Sequence, residues 1–218
     1  MRIFLLAMTT LSAVMFGSAA LAQNGAPALS AEAARAEGER IIASAQVADL
    51  FENISDDDGM VRLRHKASGM VCIFVGVGPQ NSIHIYPTSP RTPQRGDDVS
   101  CATFIDDTHL SLTSYATRYV PMPSIEEDMA MTINGVRRTR LNAKPLEGAF
   151  AVATVEGRPA PAFSAMTFEE NGQEYASFAY ITHLNEWSFK TRASTPKDKA
   201  EAASLLAGLI FNLGLPKD

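Results

Sequence analysis

A series of strand-like segments near the end of the chain constrains the fold more than any other feature. Four segments are separated by turn signals, at 149–155, 163–168, 175–182 and 187–194. The second and third are joined through Asn171-Gly172, and Asn-Gly between apolar runs favours a two-residue hairpin because both central residues take positive φ. In the fourth, apolar and polar residues alternate, which predicts one buried and one exposed face. The sequence therefore predicts four consecutive antiparallel strands.

Three further segments carry helix signals. The first begins after Ser30, which can cap a helix, and ends near Asn53. The second begins at Ser124, which forms a capping box with Glu127. The third opens at Thr195, with threonine at the cap and proline at the first helical position. Each segment has apolar residues at helical spacing, so we expect each helix to pack against the rest of the domain.

Four shorter strand candidates precede the second helix, at 60–66, 70–75, 82–86 and 110–119. The segment 87–98 is too rich in proline and glycine to be regular. The order of elements is then helix, three strands, a fourth strand, helix, four strands and helix. This order predicts an α+β fold in which an antiparallel sheet is covered by helices, as in an α/β/α sandwich. Two copies of a helix followed by four strands, beginning near Ser30 and Ser124, fit the same order.

The N-terminal segment predicts export. Arg2 is followed by an almost continuously apolar run at 3–16. Small residues stand at Ala20 and Ala22, which completes the pattern of a secretory signal peptide. The apolar run is shorter than the roughly 20 residues that span a bilayer. We therefore expect cleavage near Ala22 and a periplasmic or secreted mature protein with no integral membrane segment.

The expected domain organisation follows from this cleavage. Residues 1–22 form the signal peptide, residues 23–29 a flexible leader, and residues 30–218 a single domain. Since Arg2 is the only charged residue removed, the 19 basic residues become 18, against 24 acidic ones. A modestly acidic chain without a sustained stripe of lysine and arginine argues against nucleic acid as a partner.

The two cysteines of the chain, Cys72 and Cys101, predict a disulfide. They lie 29 positions apart in a protein expected to reach an oxidising compartment. A free catalytic thiol is the alternative, but Cys72 lies in an apolar strand-like run, where thiols are inert. We expect no metal site, because neither cysteine has a Cys-x-x-Cys partner or a neighbouring histidine.

The predicted disulfide would bring together two charged segments. A hairpin that pairs Lys66 with Met70 places Arg64 opposite Cys72, and the bond to Cys101 then draws the preceding loop towards this strand. The residues that would meet form a mixed-charge surface able to attract an anion, and they are Arg62, Arg64, His65, Arg95, Asp97 and Asp98. The alternative is that these charges are merely solvated, as charged faces of strands and loops often are.

The sequence lacks the local motifs of common enzyme classes, including Gly-x-Ser-x-Gly, His-Glu-x-x-His, the Walker loop and Gly-x-Gly-x-x-Gly. Ser194 and Lys197 have the Ser-x-x-Lys spacing of serine β-lactamases, but the cap of the third helix accounts for it. We therefore assign no catalytic residue and no cofactor. One alternative is an exported hydrolase whose site assembles from distant residues, namely His65 or His109 with Asp97, Asp98 or Asp107.

The part of the chain from Leu110 onward carries a family resemblance. It reads as a strand, a capped helix at Ser124, a four-strand meander whose last strand bears Trp187, and a closing helix. In this element order it resembles the PsbP and Mog1-like sandwich proteins. Members of that group are mostly small non-catalytic accessory or binding proteins. The resemblance thus implies a non-enzymatic accessory or binding protein. Together with the predicted export, we expect an exported protein of this kind in a bacterial-type cell envelope, with an envelope protein or a small ligand as its partner.

Overall fold

Two antiparallel sheets and three helices make up the part of the chain that the computed structural model describes, residues 29–148, 150, 152–156, 158 and 160–217. The predicted signal peptide at 1–22 and the predicted leader up to residue 28 lie outside these residues. The helices are α1 (Ala31–Ala45), α2 (Ile125–Thr139) and α3 (Ala200–Gly214). The strands are β1 (Phe51–Asn53), β2 (Val61–His65), β3 (Val71–Phe74), β4 (Ser82–Ile85), β5 (Asp98–Ile105), β6 (Leu110–Thr117), β7 (Lys144–Pro145), β8 (Ala162–Glu170), β9 (Gln173–Leu184) and β10 (Trp187–Pro196).

The strands form a small sheet in the order β1-β2-β3 and a large sheet in the order β4-β5-β6-β10-β9-β8-β7. All neighbouring strands pair antiparallel. The structure thus confirms the predicted α+β class with antiparallel strands covered by helices. Because β10 lies between β6 and β9, strands from both halves of the chain share one sheet. Six strands precede α2 and four follow it, and the two-copy arrangement stays a prediction.

The two faces of the large sheet carry different covers. Phe189 and Thr191 of β10 are buried on one face, where α3 and the small sheet pack. Trp187 shares this face and contacts His65 of β2 edge-on, with ring centroids 5.5 Å apart. Lys190 alternates with them and contacts α2 on the other face. The domain therefore has three layers: helix α2, the large sheet, and a layer made of α3 and the small sheet. Helix α1 packs against β1, β2 and β4 at the side of the small sheet.

The main hydrophobic core lies between the large sheet, the small sheet and helices α1 and α3. Its largest fully buried side chains include Tyr180, Phe51, Phe74 and Phe178. The Tyr180 hydroxyl donates a hydrogen bond to the carbonyl oxygen of Ser204 at 2.7 Å, which satisfies the polar end of this buried ring. This core covers one face of the large sheet, and the candidate site lies on the opposite face.

The predicted disulfide between Cys72 and Cys101 is present, and its Cα–Cα distance is 5.9 Å. Cys72 belongs to β3 and Cys101 to β5, so the bond connects the small sheet to the large one. Both residues are buried, with 0% and 4% of their surface exposed. The disulfide therefore joins two layers of the core that share no strand ladder.

The hairpin between β2 and β3 has a register one residue away from the predicted one. Leu63, rather than Arg64, lies opposite Cys72. The turn is wider than predicted, because the N–H of His65 donates to the carbonyl of Met70 at 2.8 Å. Leu63 is consequently buried on the side of the disulfide, while Arg64 lies on the exposed face of the small sheet.

The strand predicted at 149–155 is wrong within the described residues. Of these residues, 150 and 152–155 lie outside any strand, and 149 and 151 are outside the described part of the chain. The large sheet ends instead at the short strand β7, which pairs with β8. The ring of Phe150 packs against Phe163 and Phe178. Side-chain packing thus holds Phe150, which is partly buried, against the core without a strand ladder, while Val155 is 42% exposed.

Three other element boundaries differ from the predictions. Helix α1 stops at Ala45, where Gln46 takes a left-handed conformation, so the predicted helix end becomes β1. Thr195 does not cap α3, because it belongs to β10 and its hydroxyl donates to the carbonyl of Thr108 at 2.7 Å. Strand β5 has no counterpart among the predicted strands, since its residues follow a loop and show no clear apolar alternation.

Candidate functional site

The structure does not bring the six residues of the predicted anion-attracting surface to one place. Arg62 and Arg64 lie on the outer face of the small sheet and line a cavity of about 420 Å³ beside the end of α3. Arg62 donates to Asp58 at 2.6 Å, and Arg64 donates to Glu52 at 2.7 Å. The carboxylates neutralise both guanidinium groups, which weakens the attraction of this cavity for an anion.

The other charged residues of that predicted surface lie elsewhere. Arg95 pairs with Asp49 at the surface. Asp97 is buried and accepts a hydrogen bond from Arg118 at 2.8 Å. Asp98 lies on the face of the large sheet that α2 shares, where it lines a different cavity. A ligand-binding role for the six residues together stays a prediction, and of the six only Asp98 reaches the site described below.

His65 is a core residue. It is fully buried between Phe51 and Trp187, and its Nδ1 pairs with the hydroxyl of Ser68 at 2.9 Å. Its Nε2 has no hydrogen-bond partner in the described part of the chain. Burial lowers the pKa of His65 to about 4, and nearby Asp97 only partly opposes this shift. A hydrolase built on His65 would need its ring to contact a substrate, and this burial prevents that contact.

The buried His65 predicts a loss of stability in acid. Its pKa is about 4 in the folded protein and 6.5 in an unfolded chain. The contribution of the buried neutral ring to the free energy of unfolding is therefore complete above pH 6.5. It is lost as the pH falls from 6.5 to 4, which costs about 3 kcal/mol of unfolding free energy. Urea unfolding at these pH values measures the loss. We expect the His65→Leu variant to lose less unfolding free energy between pH 6.5 and pH 4 than the wild type does. The control variant His84→Gln, which changes an exposed histidine, should lose as much as the wild type. An equal acid loss in the wild type and His65→Leu contradicts this assignment.

Helix α2 is positioned by its N-terminus and by one buried carboxylate. The capping box predicted from the sequence is present, because Ser124 accepts from the N–H of Glu127 at 3.2 Å and the Glu127 carboxylate accepts from the N–H of Ser124 at 2.8 Å. One turn further, Asp128 is 0% exposed and points at the large sheet. These two contacts fix both the start of α2 and its distance from β10.

Asp128 holds three side chains of β9 and β10. It accepts hydrogen bonds from the Ser188 hydroxyl, from His183 at 3.2 Å and from Lys190 at 3.5 Å. Burial alone raises the pKa of Asp128, but Lys190, Ser188 and His183 together lower it below its usual range. Asp128 is therefore a carboxylate at neutral pH and forms the anchor of α2 on the sheet.

The Asp128 cluster contains a serine, a histidine and an aspartate but does not have the geometry of a hydrolase triad. In a triad the histidine stands between the serine and the carboxylate. Here Ser188 donates directly to Asp128, and Ser188 is only 1% exposed. The cluster thus supports the helix and offers no accessible nucleophile.

A groove runs along α2 where the helix leaves the large sheet uncovered. Helix α2 contacts β8 and β9, so the same face of β10, β6 and β5 stays open beside it. The groove comprises two adjoining cavities of about 300 Å³ and 280 Å³, and Arg192 lines both. The first cavity is also lined by Tyr86, Asp98, Tyr115, Thr117, Tyr119, Met131, Thr132, Gly135 and Lys190. The second is also lined by Phe104, His109, Ser111, Val136, Thr139, Arg140, Phe168, Glu170, Tyr175, Ser177 and Ser194. We call this region the α2 groove.

Among the described residues, two charged side chains of the α2 groove have no ion-pair partner, Arg192 at its centre and Asp98, which accepts from the Thr117 hydroxyl in the first cavity. Arg140 forms an ion pair with Glu170 at 2.8 Å, and Lys190 contacts Asp128. Arg192 is half-buried, and no carboxylate or side-chain acceptor within the described residues pairs with its guanidinium. The centre of the groove therefore presents a guanidinium with five hydrogen-bond donors and no ion-pair partner within the described part of the chain, while Asp98 places a carboxylate in the first cavity.

Three tyrosines, Tyr86, Tyr115 and Tyr119, line the first cavity. Burial raises the pKa of Tyr115, and it raises that of Tyr119 to about 12, to which Asp128 and Asp98 add. Tyr86 and Tyr115 stack with ring centroids 6.3 Å apart. Lys190 lies over the Tyr115 ring at 5.5 Å. The cavity thus combines flat aromatic surface with hydroxyl donors.

Gly135 leaves room on the helix side of the groove. A side chain added at this position would meet no atom within 4 Å at its Cβ. Gly135 lies in the interior of α2, where glycine costs roughly 1 kcal/mol relative to alanine. The position is therefore suited to a substitution that fills the groove without disturbing the core.

The α2 groove was missed by sequence reasoning apart from Asp98 and His109, which were named in separate hypotheses. The alternation of Lys190 and Arg192 with Phe189 and Thr191 placed both cations on one face of a strand, but that face was interpreted as solvated. What makes it a site is Tyr115 directly across from Lys190 on β6. This pairing joins residues 75 positions apart, and nothing local in the sequence indicates it.

The fold and the groove define the class: an α+β domain whose seven-stranded antiparallel sheet carries a ligand-sized polar groove beside one helix. No family model matches the chain, and no curated protein matches it. In the part of the chain that the structure describes, no helix has the length and apolar character needed to cross a membrane. The same residues contain no group of three or more His, Cys, Asp or Glu side chains arranged to hold a metal ion.

Two solved structures are similar to this chain at low TM-scores. The first is a protein of unknown function, PA94 from Pseudomonas aeruginosa, described as a putative regulator, with a TM-score of 0.40 and 10% identity over 73% of this chain and 98% of that one. The second is LpqN, involved in cell envelope biogenesis of Mycobacterium tuberculosis, with a TM-score of 0.33 and 10% identity over 64% of this chain and 85% of that one. Neither similarity is close enough to indicate a function.

Proposed function

We propose that the protein is an exported, non-enzymatic binding protein of the cell envelope and that its ligand occupies the α2 groove. The observation that carries this proposal is Arg192, a half-buried guanidinium that lines two cavities and has no ion-pair partner among the residues that the structure describes. A charge taken out of water without a partner is costly, and an anionic ligand would supply the missing partner. The planar fork of arginine suits a carboxylate or a phosphate, because it can donate two parallel hydrogen bonds.

Export is supported by two independent features of the chain. The predicted signal peptide would direct it across a membrane. The disulfide between Cys72 and Cys101 is a bond that persists in oxidising compartments and is rare in a reducing cytosol. Both features favour the periplasm or the cell exterior, where a binding protein would meet soluble envelope components.

Binding rather than catalysis is supported by the arrangement of the reactive side chains. The serine of the Asp128 cluster is buried and donates to a carboxylate. Within the described residues, the histidine that pairs with a serine is His65, which lies in the core away from the groove. His109 lines the groove and packs edge-on against Phe104. The groove thus offers positioning groups without an activated nucleophile.

Replacing Arg192 by glutamine tests the proposed function. We expect the mature protein, incubated with a soluble extract of its host's envelope, to retain a bound small molecule in native mass spectrometry. Glutamine keeps much of the side-chain length but removes the charge, so Arg192→Gln is expected to lower ligand occupancy about tenfold or more. The circular dichroism and unfolding midpoint of the variant should show that it is folded.

The control for that experiment is Arg137→Gln. Arg137 is exposed on α2 and lines neither cavity of the groove, so this variant loses the same charge elsewhere. We expect it to bind as the wild type does. Equal occupancy in Arg192→Gln and the wild type, or a wild type that retains no molecule from the extract, contradicts the proposal.

A further inference from the structure

We infer that the ligand of the α2 groove is an acidic oligosaccharide, a short chain of sugar rings that carries carboxylate groups. This inference rests on the proposed function and deepens it by naming the ligand class. Three properties of the groove carry it: its length across two cavities, its flat aromatic surfaces, and its lining of hydroxyl groups around one unpaired guanidinium.

The shape of the groove favours an extended ligand with several units. Each cavity, at about 300 Å³ and 280 Å³, lies at the small end of the range for small-molecule sites. Because Arg192 lines both, a ligand that contacts Arg192 at its middle can occupy both cavities at once. A short oligomer uses this arrangement better than a single compact molecule.

Each cavity contains a pair of stacked aromatic rings. In the first, Tyr86 and Tyr115 lie at an interplanar angle of 25°. In the second, Phe168 and Tyr175 lie 5.4 Å apart at 10°. A flat ring presents a broad apolar surface, and the C–H face of a pyranose is a flat apolar surface of similar size. Lys190 lies over the Tyr115 ring and Arg140 over the buried Phe168 ring, so the rings left to contact a sugar are the partly exposed Tyr86 and Tyr175. One such ring in each cavity suits two sugar rings flanking a carboxylate.

The remaining lining includes several hydroxyl groups, of which Thr117 donates to Asp98 and Ser194 donates to Ser177. Thr117 lines the first cavity, and Ser111, Ser177 and Ser194 line the second. A hydroxyl both donates and accepts, so it can pair with a sugar hydroxyl in either direction. Asp98 adds an acceptor for sugar hydroxyl protons in the first cavity. This chemistry matches a polyhydroxylated ligand more closely than an apolar one.

An acidic peptide is the competing anionic oligomer, and the groove lacks the features that bind extended peptides. Peptides commonly add a strand to an open sheet edge and use main-chain hydrogen bonds. The groove lies on the face of β6 and β10, whose main-chain groups are paired with neighbouring strands on both sides. The edges of the large sheet are β4 and β7, away from these two strands. Only side chains therefore face the groove.

Isothermal titration calorimetry on the mature protein tests the ligand class. The acidic probes are trigalacturonate, a mannuronate trimer and a hyaluronan tetrasaccharide, and the comparison probes are neutral maltotriose and triglutamate. We expect at least one acidic sugar to bind, and both maltotriose and triglutamate to bind about tenfold or more weakly than it. Arg192→Gln should weaken binding of the acidic sugar about tenfold. Tyr115→Leu should also weaken this binding, because it removes the ring on which Tyr86 stacks. Arg137→Gln should leave the binding unchanged.

The outcomes separate this inference from the proposed function. If triglutamate binds in an Arg192-dependent manner while the acidic sugars do not, the saccharide class is overturned and the groove remains a binding site. If none of the acidic sugars binds, the saccharide class is likewise overturned, and the envelope-extract experiment judges the binding function by itself. If acidic sugars bind equally well to Arg192→Gln, the site assignment itself is overturned.

Discussion

Replacing Asp128 by alanine is expected to lower the free energy of unfolding by about 4 kcal/mol. Asp128 is fully buried and accepts hydrogen bonds from Ser188, His183 and Lys190. Removing it leaves Lys190 partly buried without its counter-charge, and it leaves the Ser188 hydroxyl without its acceptor. Because Asp128 is the polar anchor of α2 on the large sheet, the same change should loosen the wall of the groove.

Urea unfolding followed by circular dichroism measures this loss at neutral pH. The matched control is Glu126→Ala, which removes one negative charge two residues earlier on the same helix from an exposed side chain. Glu126 interacts mainly with the helix N-terminus, so its removal should cost less than about 1 kcal/mol. Similar losses for the two variants would show that the Asp128 cluster does not anchor α2.

Removing the disulfide is expected to have the second largest effect, a loss of about 3.5 kcal/mol of unfolding free energy. The bond closes a loop with a sequence separation of 29 and restricts the unfolded chain accordingly. In the folded protein it joins β3 to β5, which belong to different sheets. Without it, packing alone has to hold the small sheet on the large one.

The measurement compares urea unfolding of the wild type with and without a thiol reductant, and of the variant with Cys72→Ala and Cys101→Ala together. The oxidised wild type should be more stable than both other forms. The double variant should be insensitive to reductant, which controls for other effects of the reagent. A wild type whose midpoint is unchanged after full reduction would be at odds with a structural role for the bond.

Sequence signals correctly predicted the structural features that depend on residues close together in the chain or on the expected compartment. The capping box at Ser124 and Glu127 fixed the start of α2 because both hydrogen bonds lie within one turn. Asn171-Gly172 fixed the hairpin between β8 and β9, and both residues take positive φ, 53° and 78°. The oxidising destination inferred from the signal peptide made the Cys72–Cys101 bond a reasonable expectation, and the bond is present.

The remainder of the fold depends on contacts that no local pattern contains. The segment 149–155 is apolar enough to resemble a strand, yet Phe150 lies outside any strand and packs against rings of β8 and β9. The site was hidden for the same reason, because the groove depends on β10 inserting between β6 and β9. The resemblance of the second half of the chain to PsbP and Mog1-like proteins stays a prediction.

The central claim is that the ligand lies in the α2 groove, and filling the groove from Gly135 tests it most directly. A side chain at Gly135 meets no atom at its Cβ, so Gly135→Leu should fold and remain at least as stable as the wild type. The control is Asn134→Leu, which places the same side chain at the adjacent exposed position of α2.

The decisive measurement is ligand occupancy of these two variants by native mass spectrometry after incubation with the envelope extract. We predict that Gly135→Leu loses the bound molecule while Asn134→Leu retains it at the wild-type level. A folded Gly135→Leu protein that retains the wild-type occupancy would contradict the claim that the groove is the binding site.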